Sequence, residues 1–178
     1  LSTSRFAARY LPSGFVFDVK GSAAFPEDVP LVLGLLNTRF AHVVLNMINP
    51  TVSYQVGDIE RLPVPSVRSP QIEVLVNQCV ELSRQDSRDD EKTYEFLAPL
   101  RKSEDRKTRH ERLHALETKI DTEVSRLYGL SQEDLAAIDR ELSDVAVAAE
   151  DEEAEETAGV DEDADIQAFE LSQADIFR

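Results

Sequence analysis

Two histidines one helical turn apart with a glutamate between them, His110-Glu-Arg-Leu-His114, match the zinc-protease helix, in which the imidazoles bind the metal and the carboxylate activates water. Glu133 follows as a possible third ligand. Helical phase argues against that chemistry. At about 100° per residue, the apolar seam of Leu113, Leu116, Ile120, Val124 and Leu127 lies about 80° from His110 and about 120° from His114. Both rings then flank solvent, and Arg106-Lys-Thr-Arg109 with Arg112 would surround a dication with positive charge. The pattern predicts a solvated helix face and no metal site, with a zinc hydrolase kept only as a test. Asp161-Glu-Asp-Ala-Asp165 opens like a calcium loop, but Ile166 stands where the turn needs Gly and Ser172 where it needs the bidentate Glu. Cys79 shares a helical apolar face with Ile72, Val76 and Val80, so it reads as core packing.

The elements that must position any site follow from period and punctuation. Phe15-Val-Phe-Asp-Val19 alternates β-favouring residues after Pro12-Ser-Gly14 and predicts a strand entered from a turn. From Leu31 to Ile48, apolar residues at 32, 36, 40, 43 and 47 predict one helix, stopped by Asn49-Pro50. Thr51-Val-Ser-Tyr-Gln-Val56 predicts a second strand, Gly57-Asp58 a turn, and Ile59 to Val64 a short extended piece before Pro65. A helix over Pro70 to Arg84 turns Ile72, Val76, Cys79, Val80 and Ser83 inward, and the polar run Gln85 to Lys92 reads as a linker. The narrow seam beyond Pro99 suits a helix packed on one partner helix. Gly129 is placed to cap it, and Ser131-Gln-Glu-Asp134 resembles a capping box opening one more helix to about Leu142.

Charge divides the chain unevenly. Residues 1–130 carry 17 Lys+Arg against 18 Asp+Glu, while residues 131–178 carry 2 against 17. A near-neutral body leaves nucleic-acid binding undecided. After Asp144 the sequence is mostly Ala, Glu and Asp, too poor in apolar surface to offset the entropy of ordering, so a disordered tail is expected. One cysteine excludes an internal disulfide, and no apolar run of spanning length is present; a reducing cytoplasm and no membrane are expected.

The stretches Gly14-Phe-Val-Phe-Asp-Val-Lys-Gly-Ser22, Leu35-Leu-Asn-Thr-Arg39 and Asn49-Pro-Thr-Val-Ser-Tyr-Gln-Val-Gly-Asp-Ile-Glu-Arg-Leu-Pro-Val-Pro65 carry a family likeness. Residues 1 to 85, and more loosely the helical stretch to about Leu142, resemble the C-terminal target-recognition region of adenine-specific DNA methyltransferases of the PglX (BREX) and type IIG kinds. Val56 to Ser83 is also similar to the end of a recognition domain in type I specificity subunits. The resemblance implies that the chemistry lies upstream, with S-adenosylmethionine bound there and the target base flipped out of the duplex. Asn49-Pro-Thr-Val shares its first two residues with the Asn-Pro-Pro-aromatic motif that holds such a base. The second Pro and the aromatic are missing, and no glycine-rich cofactor loop follows a strand, so no catalytic residue and no cofactor are expected within this chain.

The expected fold is therefore α+β: a small mixed sheet with flanking helices forming a recognition domain over residues 1–85, a helical spacer over 86–143 and an acidic tail over 144–178. Under the resemblance, Arg5, Arg9, Tyr10, Lys20 and Ser22 around the first strand, and Tyr54, Gln55 and Arg61 around the second, are the candidate DNA contacts. Arg or Lys can donate to guanine, Gln can pair with adenine, and Ser or Tyr can hold phosphates. The implied partners are double-stranded DNA, an upstream methyltransferase domain and other defence-system subunits. A protein-interaction module within a defence complex is the alternative.

Overall fold

The computed structural model describes residues 6–16, 23–51, 54–99 and 103–143, with the side chains of residues 103 and 104 outside that description. Helices account for all the regular structure there: α1 (Val29–Leu36), α2 (Arg39–Ile48), α3 (Val56–Glu60), α4 (Pro70–Asp89) and α5 (Ser103–Tyr128), followed by α6 over residues 132–143. No strand occurs among the described residues. The expected α+β fold with a mixed sheet is thereby corrected to a helical one.

Each departure has a local cause. Phe15 and Val16 follow the turn at Gly14 (φ +96°) without pairing as a strand, and Phe15 instead lays its ring against Tyr94, centroids 4.5 Å apart. Residues 17–19 of that expected strand lie outside the described residues. In the second expected strand, Val52 and Ser53 also lie outside it, while Gln55 is the N-cap of α3 and Val56 its first residue. Asp58 makes the difference: its carboxylate accepts from the Gln55 backbone N–H at 2.9 Å and from Asn49 Nδ2 at 2.7 Å. A carboxylate three residues into a helix satisfies an orphan N–H there, and this outweighs the strand preference of Val56 and Ile59. Ile59 and Glu60 consequently turn helical rather than extended.

The helix expected over residues 31–48 is two helices bent by 73°. Asn37 interrupts it by donating to the carbonyls of Leu33 (2.9 Å) and Ala8 (3.1 Å). Thr38 then restarts it as an N-cap, accepting from the Ala41 N–H at 3.2 Å. Side chains that bond the local backbone compete with helix continuation, and here the second partner, Ala8, comes from a distant segment. The break rotates the buried set: Ala41, His42, Val43 and Leu45 face inward on α2, while Met47 is exposed.

The core forms where α1, α4 and α5 meet, from Leu31, Leu35, Leu36, Ile72, Val76, Ile120 and Val124, with Ala41 and Leu62 closing it. Gly34 lets α1 lie close on α4, since a Cβ there would meet Val76 Cγ2 at 2.9 Å and Ile72 Cγ2 at 3.1 Å. α4 and α5 run antiparallel: Ser69 reaches Glu123 at one end, and Asp86 and Asp89 reach Arg109 at the other. Those pairs carry α4 through Asp89, beyond the expected end at Arg84. The following loop folds back on it, with Leu97 N–H donating to the Arg88 carbonyl at 2.9 Å and Arg84 paired to Glu95 at 3.2 Å.

The seam of α5 packs as its spacing predicts, with Leu116, Ile120 and Val124 buried. Its C-terminus closes as a Schellman turn, Leu130 N–H to the Ser125 carbonyl and Gly129 N–H to the Arg126 carbonyl, with Gly129 at φ +66°. Ser131 and Asp134 form the reciprocal cap that opens α6. No single described helix is long and apolar enough to cross a membrane; α1 and α2 together are apolar, but they build the core. The calcium-like string and the rest of residues 144–178 lie outside the description.

Candidate nucleic-acid interface

Of the expected contacts, Arg5, Lys20 and Ser22 fall outside the described residues. The others sit on two segments that touch. Residues 6–16 form a strap across the bundle, pinned where the Ala8 backbone and the Asn37 amide exchange two hydrogen bonds of 3.1 Å. Next along the strap, Arg9 and Tyr10 are exposed at the rim of a cleft of about 230 Å³ whose other rim carries Arg84 and Tyr94. At its other end, Phe6 meets Tyr54 edge-on, ring centroids 5.2 Å apart. Tyr54 is therefore packed as well as presented, and burial, with Asp58 beside it, pushes its phenol above the ordinary value.

Gln55 and Arg61 bracket α3. Gln55 is exposed and Arg61 stands at the C-cap with its side chain in solvent. Asp58, held between them, has its carboxyl below the usual range, first by the Asn49 hydrogen bond, then by the Gln55 N–H and the nearby Arg61 charge. Asn49 is thus engaged structurally: its Oδ1 also accepts from the Thr51 N–H at 3.0 Å and the Thr51 hydroxyl at 2.6 Å. The Asn-Pro pair closes a loop.

Arg84 and Tyr94 escaped sequence reasoning. They join Arg9 and Tyr10 only because the strap crosses α4, and no local pattern links positions so far apart. Cys79 lines the same cleft half-buried, and burial, with Glu117 nearby, pushes its thiol up to about 11, which leaves it protonated at neutral pH. His110 and His114 are both exposed on α5. Among the described residues no three His, Cys, Asp or Glu side chains are grouped to hold a metal. Among the described residues, the glycines lie in a turn (Gly14), within α1 and α3 (Gly34, Gly57) and at a helix cap (Gly129), none in a loop between strand and helix.

No family model and no solved structure matches the chain. Two curated proteins do. An adenine-specific methyltransferase PglX of Lacticaseibacillus casei (strain Zhang) is 32% identical over 99 residues, and an adenine-specific methyltransferase BrxX of Escherichia coli O9:H4 (strain HS) is 32% identical over 101 residues. Each alignment covers 54% of this chain but only 8% of the relative, so the chain spans a small part of the proteins it matches. Over about half its length, this chain is related to PglX-type adenine-specific methyltransferases.

Proposed function

We propose that this chain is a DNA-recognition part of an adenine-specific methyltransferase in a phage-defence or restriction-modification system. The relationship to two such methyltransferases carries the reading. Support within the fold comes from the contact of Phe6 with Tyr54, which joins the strap bearing Arg9 and Tyr10 to the α3 segment bearing Gln55 and Arg61. Arg9 and Arg61 are exposed and have no ion-pair partner among the described residues, so both are available to base edges or phosphates. S-adenosylmethionine binding and base flipping belong, in this reading, to the rest of the enzyme, which works on DNA in the cytoplasm. Residues 1–85 would read sequence, 86–143 would space, and 144–178 would form an acidic extension.

Methylation by the complete enzyme tests it. Arg61→Ala or Lys20→Ala should reduce modification of the cognate site while cofactor binding stays intact. Loss of a bidentate base contact should cost about 1–3 kcal/mol of discrimination. Unchanged modification in both variants and in Arg9→Ala would remove the reader role.

A second reading, docking onto other parts of a defence complex, is favoured by one observation. Close in sequence to the Phe15 and Tyr94 rings, which meet at a tilt of 59°, Val16 is 96% and Leu97 74% exposed. Such an apolar cluster suits a protein partner. Loss of complex assembly on Val16→Asp with Leu97→Asp, with normal modification by the Arg61→Ala enzyme, would favour docking over reading.

A further inference from the structure

The α4–α5 pair has one side packed on α1 and α2 and one side turned away. Contacts around each helix fix which residues lie where. On α5, Glu123 and Arg109 point to α4, Ile120 to α1, and Asp121 to α2 through Arg39. At about 100° per residue, this places Arg112, Lys119 and Arg126 in one column on the far side of α4's contact line. On α4, Ile72 and Val76 point to α1, and Asp86 and Asp89 to α5. The same rotation places Gln71, Gln78 and Gln85 in the adjoining column. Both columns repeat every seven residues, two helical turns, or about 10.5 Å.

Cations and amides dominate this face; the carboxylate at its α4 edge, Glu81, accepts from Gln85 Nε2 at 3.4 Å and lies 3.9 Å from Arg88. Arg112 and Lys119 are exposed and have no partner among the described residues. Arg126 is 68% exposed and grips Glu123, whose side chain is only 7% exposed, so the guanidinium forms the outer surface of that pair. Asp89, at the margin, is paired with Arg109. Asp105 is exposed but lies two turns beyond Arg112. Small side chains, Ala115 and Thr122, separate the cations, and Gln71 and Gln78 are exposed amides that can donate without adding charge.

We propose that this α4–α5 face is a phosphate track that holds double-stranded DNA by its backbone, independently of sequence. A duplex carries a phosphate on each strand about every 3.4 Å along its axis, so a cation every 10.5 Å or so falls in step with about every third base pair. Arg, Lys and Gln are among the side chains that bond phosphate oxygens and set register without reading bases. The identity of the polyanion rests on the DNA role proposed above. The track itself lies on a different surface from the strap and α3 that would read bases.

Fluorescence anisotropy of a short labelled duplex of arbitrary sequence, titrated with the full chain over a series of salt concentrations, tests the track. Arg112→Gln with Lys119→Gln should lower the slope of log affinity against log salt by about two and weaken low-salt binding at least about tenfold. Arg106→Gln with Lys107→Gln removes the same charge from another flank of α5 and should change neither. A second, unrelated duplex should behave alike. Absence of saturable duplex binding at low salt, or equal losses in the two double variants, would overturn the track. So would binding of a poly-glutamate peptide, but not of duplex, that Arg112→Gln with Lys119→Gln abolishes, since that identifies an acidic protein as occupant. Selection from random duplexes separates the two proposals: a preferred site with an unchanged salt slope in Arg112→Gln/Lys119→Gln sinks the track alone. A reduced slope with no preferred site sinks the reader alone.

Discussion

The α4–α5 pair and the segment from Asn49 to Arg61 hold their shapes by opposite means. Along the helix pair, Ile72, Val76, Leu116, Ile120 and Val124 are all buried, and each contributes a share of a continuous apolar seam. The Asn49–Arg61 segment has no fully buried side chain among its described residues: Ile59 packs only partly on the core and Tyr54 on Phe6, while Asp58 ties the turn through its bonds to Asn49 and Gln55. The contrast separates scaffold from surface. A seam tolerates exposed variation on its outer faces, whereas a loop held mainly by polar bonds presents its neighbours in solvent, where Gln55 and Arg61 sit beside the half-buried Tyr54.

The largest effect should come from the seam. Ile72 is fully buried between α1, α4 and α5, so Ile72→Ala should cost about 2–5 kcal/mol, read as a lower urea midpoint with unchanged slope. A cost below about 0.5 kcal/mol would show that the three helices do not share this core.

A smaller loss is expected where polar bonds tie α2 to that scaffold. Asp121 accepts from the Arg39 backbone N–H at 2.9 Å and from its Nε at 2.6 Å, and Arg39 also reaches Asp139 on α6. Asp121→Ala should cost about 1.5–3 kcal/mol, because it removes hydrogen bonds to a charged group at a half-buried position. Amide exchange in α6 should rise with it. Protection of α6 unchanged in this variant would show that Arg39 does not hold it.

Loss of the loop's carboxylate should be felt locally. In Asp58→Ala, amide exchange at Gln55 should quicken while the urea midpoint hardly moves. The wild-type loop carries the matching pH dependence. Its carboxyl is held below the ordinary Asp value of about 3.9, so its support is complete above that pH and fades as pH falls through the lower folded-state value. The Gln55 amide resonance should follow that titration. A midpoint at or above the ordinary Asp value would contradict the bonds from Asn49 and Gln55.

The histidines should matter least. His110 and His114 are exposed, so replacing both by Ala should leave stability within about 0.5 kcal/mol and bound zinc below one per chain. One zinc per chain, lost in the double variant, would revive the hydrolase.

Legibility followed the same division. The seam from Leu113 to Leu127, the Gly129 cap and the Ser131–Asp134 box could be read from residue spacing because each is a local pattern that the helix itself satisfies. The strands could not be separated from short capped helices on that basis. Alternation in Thr51–Val56 is too short to distinguish a half-buried strand from a loop, and the deciding bond comes from Asn49, on the far side of it. Of the candidate contacts, Arg9, Tyr10, Tyr54, Gln55 and Arg61 could be placed, but nothing in the string pairs Phe6 with Tyr54 or Arg9 with Arg84.

By itself, then, the amino-acid order determined where α4 begins, where α5 ends and which of their faces are apolar, because capping and the 3.6-residue period act within a few positions of the chain. Tertiary structure alone decided that residues 31–48 break at Asn37, that α4 continues to Asp89 and that α2 is clamped to α5. Each depends on a partner brought from far along the chain: Ala8 for Asn37, Arg109 for Asp86 and Asp89, and Asp121 for Arg39, 82 residues away. Such bonds exist only after the apolar seams have brought the segments together, so no local pattern can announce them.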